Sequence, residues 1–263
     1  MSSRELIYTT QLQAGLGLFD ETRTLLELWQ PGMNGHSLKL AALASGRFPA
    51  MTARRLRNIV IESFAPRYLV DEAQPARILK QLYGAVPPVE LRQLMLLYTA
   101  RANDILADFI RRAYWPSYAA GAVALDNDGA KAFVLRGIDD GRTACRWAEP
   151  TVKRMARYLT AACADFGLLE GGQRRQRRIL TTRLSPHVVA ILGHDLHFRG
   201  VADNTLLAHQ DWALYGLDRQ EVLEEFRRLA LRNMWLVQAA GDSVSIGWLH
   251  KDMETVCNVI AQG

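Results

Sequence analysis

Lysine is scarce in this chain. Only Lys39, Lys80, Lys131, Lys153 and Lys251 occur among 32 basic side chains, so arginine carries almost all of the positive charge. A guanidinium group favours planar, bidentate contact with phosphate and carboxylate. Cysteine is scarcer still. Cys145, Cys163 and Cys257 are far apart and odd in number, which excludes a disulfide framework and a CxxC metal knuckle. That usage fits a reducing, cytoplasmic compartment. The start, Met1-Ser-Ser-Arg-Glu-Leu, has no apolar run of the signal-peptide kind. No window approaches the length of uninterrupted apolar residues that a membrane span needs; the nearest, Ala119–Leu125, is short and alanine-rich. No membrane partner is therefore expected.

Catalytic signatures are also missing. There is no GxxxxGK[ST] loop, no GxSxG, no HExxH and no kinase set. Gly15-Leu-Gly17 is too short for a dinucleotide fingerprint. Asp126, Asp128, Asp139 and Asp140 read as turn acids, and Cys145 as a partly buried thiol. His187, His194, His197 and His209 lie close together in sequence. No third ligand has a typical zinc spacing, and Gly193 and Gly200 read as loop residues. The expectation is a protein with no catalytic residue, metal, cofactor or small-molecule substrate.

What is present is a globular composition: 263 residues, 49% hydrophobic and 22% charged, enough for a real core. The net charge of +5 is unevenly placed. Residues 1–150 carry 18 basic and 15 acidic side chains, 151–200 carry 9 and 3, and 201–263 carry 5 and 9. The cationic charge is concentrated in one window of the chain.

The periodicity reads as mainly α, in two helical lobes with small β-hairpins. The N-terminal lobe, 1–115, starts with a helix over 21–30 capped by Asp20 and stopped by Pro31-Gly32. Helices over 37–44 and 52–63 permit a helix-turn-helix, with Arg54, Arg55 and Arg57 mostly off the apolar stripe. A short helix covers 75–83. Residues 89–115 read as a long buried helix or a kinked pair, ended by Pro116.

The C-terminal lobe, 116–263, contains a turn at 126–129, a helix near 130–136 and a helix over 152–166. This last helix gathers Val152, Met155, Ala156, Leu159, Cys163 and Phe166 into one stripe, with Lys153, Arg154 and Arg157 opposite. Gly167, an apolar pair, Gly171-Gly172, four arginines in five residues (Arg174, Arg175, Arg177 and Arg178) and Ile179-Leu-Thr-Thr follow. Helix, glycine, apolar pair, basic tip and β-rich return is the order of a winged helix, here at about 150–185. The tail, about 203–263, repeats a helix and hairpin, but its helix carries Glu221, Glu224 and Glu225 and reads as a packing or protein-contact element.

The candidate nucleic-acid contacts are thus Lys153, Arg154, Arg157, Arg174, Arg175, Arg177 and Arg178, with Arg54, Arg55 and Arg57 as a second patch. No Asn or Gln lies on the cationic helix face, so base readout has little support and phosphate contact more. Sequence-tolerant binding of double-stranded DNA stands first. A sequence-specific winged-helix transcription regulator, an RNA-binding helical bundle and a protein-only assembly scaffold are the alternatives.

Several stretches carry a family resemblance: His36-Ser-Leu-Lys-Leu through Arg54-Arg55-Leu56-Arg57; Leu91-Arg-Gln-Leu-Met-Leu-Leu-Tyr through Phe109-Ile110-Arg111; Thr151-Val-Lys153 through Phe166-Gly167-Leu168-Leu169; and Arg183-Leu184-Ser185-Pro186. In order and spacing these resemble the BrxA family of BREX phage-defence systems over most of residues 8–190. The resemblance implies a mainly helical, non-enzymatic component that binds double-stranded DNA and works beside other, larger BREX subunits. It supplies no invariant DNA-reading residues, so the contacts named above rest on charge and helical spacing.

Overall fold

A computed structural model describes residues 7–14, 18–172, 175–241 and 243–262. The chain divides into two compact units: residues 1–77 with 95–182, and residues 78–94 with 183–263. The lobe boundary expected near residue 115 lies inside the first unit. The division falls within two helices, α5 and α6, introduced below.

In the first unit, α1 (Phe19–Leu28) starts after Leu18, which gives no side-chain cap; Asp20 sits in the first turn instead of capping it. Helix α2 (Gly35–Ala44) is capped by Asn34, whose side chain accepts from Ser37 N. Helix α3 (Ala53–Asn58) is capped by Thr52, which accepts from Arg55 N. It runs on through a π turn over Ile59–Phe64 into α4 (Ala65–Tyr68), where Pro66 sits in the first turn. Helix α5 (Gln74–Leu82) and helix α6 (Pro88–Ala102) follow. The expected kinked pair is present. The backbone at Asn103 leaves the helical region, its side-chain amide donates to Thr99 O, and α7 (Asp104–Phe109) begins. Pro116 does not end this stretch. A π turn over Ile110–Tyr114 leads without a break into α8 (Trp115–Ala119), and the widened turn before Pro116 accommodates a residue that has no N–H to donate.

Strand β1 (Ala124–Asp126) leads into α9 (Asn127–Asp139), with Asp126 accepting Gly129 N at 2.7 Å as the cap. Helix α10 (Glu149–Asp165) buries Val152, Met155, Ala156, Leu159 and Cys163, the expected stripe. Gly167, at φ +78°, turns the chain back. Strand β2 (Gln176–Arg178) pairs antiparallel with β1, Leu125 opposite Arg177, and continues through an antiparallel bridge between Ile179 and Leu169. The spatial order is therefore 124–126, 176–179, 168–170. The Tyr114 hydroxyl braces this small sheet, 3.0 Å from Leu168 O and 3.1 Å from Leu180 O. Helix, strand, two helices and two returning strands, with the last strand central, is compatible with a winged helix that starts at α7 rather than at residue 150.

One buried carboxylate organises this unit. Asp108 is 2% exposed. It accepts from the Tyr8 hydroxyl at 2.8 Å and from Arg142 Nη1 at 2.7 Å, with Arg112 Nε 3.5 Å away. Tyr8 N also donates to Arg142 O at 2.6 Å. The Tyr8 ring lies so close to α9 that a Cβ at Gly137 would sit 2.4 Å from it, which accounts for a glycine inside a helix.

The second unit builds on the first half of α6. Glu90 accepts from Ser185 Oγ at 2.6 Å and meets His187 Nδ1 at 2.9 Å; Gln93 accepts from Ser185 N and donates to Arg183 O. These contacts seat the start of α11 (Pro186–Phe198). The loop expected around Gly193 is helix: Gly193 is needed there because a Cβ would lie 2.9 Å from the Phe226 ring. Then come α12 (Asp203–Leu207), a 3-10 turn at Trp212–Tyr215, α13 (Arg219–Ala230) with a reciprocal Asp218–Glu221 capping box, strands β3 (Trp235–Ala240) and β4 (Ser243–Trp248), and α14 (Met253–Gln262). Phe226 stacks on Trp235 at 4.1 Å in the core.

Asp108→Ala strands the Arg142 guanidinium and the Tyr8 hydroxyl together. Urea unfolding should show a loss of about 3–5 kcal/mol in the first unit, the range for breaking a buried pair from one side.

Candidate nucleic-acid interface

Nine of the ten expected contact residues are described, and all nine belong to the first unit. Arg174 lies outside the described residues. The others do not behave alike, because local structure divides them.

On α10, Lys153 and Arg157 are exposed one turn apart. Arg154 is only half-exposed, and its buried Nε has no hydrogen-bond partner among the described residues. Lys153 Nζ meets Glu149 Oε1 at 2.9 Å, and Lys131 of α9 reaches the same carboxylate at 3.5 Å. These two ammonium groups hold the Glu149 carboxyl below its ordinary range, Lys153 more than Lys131. Lys131 is a cation of this surface that the chain order hid: it precedes Glu149 by 18 positions, and only the packing of α9 on α10 brings them together.

The arginine run is split by the pleat of β2. Gln176 and Arg178 are exposed on one face, while Arg177 turns to the other, half-buried, with Nη1 donating to Glu170 O at 3.1 Å. Arg177 thus braces the hairpin and is less open to solvent than Arg175 and Arg178. Arg175 is exposed but meets Asp128 Oδ2 at 2.7 Å. Their hydrogen bond lowers the Asp128 pKa and raises that of Arg175. Because β2 pairs with β1, and β1 runs straight into α9, the basic strand, the α9 N-terminus and α10 are parts of one built unit. Thr160 Oγ1 donating to Asn127 Oδ1 at 2.8 Å adds a further tie.

Arg54, Arg55 and Arg57 are all exposed on α3. Arg57 is 3.5 Å from Glu62 and 3.4 Å from Asn58 Oδ1. Residues 45–52 connect α2 to α3.

The acidic side chains of α13 are only partly paired with cations. Glu225 pairs with Arg228 and lies 3.7 Å from Arg183, and Glu221 is held in the capping box; Glu224 remains exposed. The four-histidine stretch is dispersed. His187 faces Glu90, His209 is 3.6 Å from Asp211, and His197 stacks on Trp248 at 4.2 Å. His194 is fully buried between Trp235, Trp248 and His250, its Nδ1 bonded to Ala190 O at 2.8 Å. Among the described residues, its Nε2 and that of His250 have no hydrogen-bond partner. Among the described residues no three His, Cys, Asp or Glu converge on a metal position, and no helix is long and apolar enough to cross a membrane.

The assembled features define a mainly helical protein whose first unit carries a small basic hairpin beside a cationic helix. The chain belongs to the BrxA family: the BrxA family model matches residues 6–195. Membership associates the protein with BREX systems and their other subunits. The match covers the whole basic hairpin and ends within α11. No curated protein matches the chain.

Two outcomes follow. Asp128→Asn and Glu149→Gln each free cations now held by carboxylates, so both variants should elute from an immobilised polyanion at higher salt than wild type; unchanged elution would show that those cations are not on the binding surface. His194 has its pKa pushed down to about 4, from 6.5, mainly by burial, with His250 and His197 adding to it. The unfolded chain therefore takes up this proton first as pH falls. Stability of the second unit should drop between pH 6.5 and 4, by up to about 3 kcal/mol from this group. Thermal melts of wild type and His194→Gln across that window should show a flatter slope in the variant.

Proposed function

We propose that this protein is a non-enzymatic, double-stranded DNA-binding component of a BREX phage-defence system, gripping the duplex mainly through phosphate. The observation that carries the reading is the pairing of β2 with β1. It joins the arginine-rich strand to α9, and through α9 to the exposed Lys153 and Arg157 of α10. Such a unit matches the winged-helix way of holding DNA, with a helix toward the major groove and the hairpin along the backbone. The exposed Arg54, Arg55 and Arg57 on α3 offer a second phosphate contact.

Phosphate contact fits the side chains better than base reading. Arg157 and Lys153 have no Asn or Gln beside them on the outer face of α10. Binding is then tolerant of sequence and steep in salt. Methylation and exclusion of phage DNA fall to partner subunits, with this chain as a DNA-holding member of the assembly. Exposed, unpaired Cys145 and buried, unpaired Cys163 and Cys257 support action in the reducing cytoplasm.

The test is a gel-shift titration at two salt concentrations with wild type and a Lys153, Arg157, Arg175 and Arg178 alanine variant. The variant should bind all duplexes more weakly by a similar factor, and its salt slope should flatten by about 3–4. Affinity equal to wild type would overturn the reading. Selective retention of structured RNA over duplex DNA would overturn it in favour of an RNA ligand.

A further inference from the structure

The β3–β4 hairpin of the second unit has one covered edge and one bare edge. On β4, Val244 N donates to Asn204 Oδ1 at 3.1 Å and Ile246 N to Asp203 Oδ2 at 2.8 Å. Trp248 Nε1 reaches Asp203 Oδ1 at 3.4 Å. Residues 244 and 246 therefore point their backbone groups away from β3. Their register partners, Ala239 and Val237, must point theirs away from β4, because directly opposed residues share one orientation in an antiparallel ladder. Among the described residues no backbone group meets Val237 or Ala239 on that outer side.

This bare edge lacks the usual protections. The register runs unbroken from Trp235↔Trp248 to Ala240↔Ser243, with no bulge. No lysine and no proline lies on β3, and residues 234–241 and 243–249 contain no charge at all. Leu236 is 55% exposed on the solvent face of β3. Leu231, just before the strand, is 88% exposed, and Leu249, just after β4, is 50% exposed.

We infer that the free edge of β3 pairs with β3 of a second copy of this chain, antiparallel about a twofold axis beside Val237, to make a four-stranded sheet. Charge selects this occupant. An uncharged strand gives a charged partner no Coulomb reward, whereas pairing like with like here brings no two equal charges together. The twofold also satisfies the hydrogen bonds, since each outward N–H of Val237 meets the outward C=O of the other copy's Val237. Leu236 then lies against Gln238 of the second copy on the solvent face. Such an isologous contact closes on itself and does not propagate. The paired edge is short, so the association is of micromolar strength and depends on concentration. It stands independently of the DNA reading.

Sedimentation velocity of the full chain over a roughly hundredfold concentration range tests it. Wild type should shift from 29.5 kDa toward twice that mass as concentration rises. Val237 is half-buried, so Val237→Lys and Val237→Glu can oppose like charges at the axis, and an unchanged melting profile checks that each variant is folded. Each variant alone should stay monomeric, and an equimolar mixture should regain the dimer, which a merely destabilised hairpin would not do. Val237→Pro removes an N–H that the ladder does not use, and should abolish the dimer with an unchanged melting profile. Three results would overturn the inference: wild type monomeric throughout, variants dimerising like wild type, or folded Lys and Glu variants that fail to associate when mixed.

Discussion

The first unit depends on a carboxylate taken out of water. A buried Asp108 is costly unless its oxygens are fully engaged, and here Tyr8, Arg142 and Arg112 engage them. The three donors come from the start of the chain, from the residues after α9 and from the π turn after α7. Satisfying one anion thus fixes the N-terminal segment against α9. Burial and the neighbouring Asp108 carboxylate push the Tyr8 hydroxyl pKa up, so it stays a donor at any ordinary pH. Gly137 completes the arrangement by leaving room for the Tyr8 ring. The basic hairpin is joined through β1 to α9, the helix that this cluster holds.

The interface itself shows why a run of like charges is not a uniform patch. Consecutive arginines on a strand alternate sides, so Arg177 and Arg178 serve different ends: one braces the Glu170 carbonyl, the other faces solvent. Carboxylates then temper the exposed cations. Asp128 and Glu149 hold Arg175, Lys131 and Lys153 in solvent-exposed ion pairs, which are individually weak.

Much of this was legible in the residues. The apolar stripe of α10, the hairpin after Gly167, the β3–β4 pair and the break between α6 and α7 all follow from spacing, because burial of one face dictates them. What was not legible depended on tertiary contact. Gly193 reads as a loop residue, yet it sits in α11 because Phe226 and Trp235 press on the backbone there. Pro116 reads as a terminator, yet the preceding π turn lets the helix pass through it. Strand β1 is three residues long and acquires its identity only from β2. Lys131 joins the site only through the packing of α9 on α10. The arginines were found by composition; which of them reach solvent was decided by pleat and ion pairing, which composition does not record.

From α7 onward in the first unit and from α11 onward in the second, a helix, further helices and a small antiparallel hairpin follow in the same order. In the first, β1 lies against the central strand β2. In the second, the side chains of Asp203 and Asn204 take that place, giving their oxygens to Ile246 N and Val244 N. Replacing a strand by two side chains satisfies the same backbone donors with fewer ordered residues. The hairpins diverge in parallel: one is tipped with arginine, the other carries no charge along both strands. An arginine-rich strand repels its own kind and attracts a polyanion, while an uncharged strand with a bare edge does neither. The same arrangement of helices and hairpin thus presents one surface suited to a charged polymer and one suited to a neutral strand, and the difference lies in a few side chains rather than in the fold.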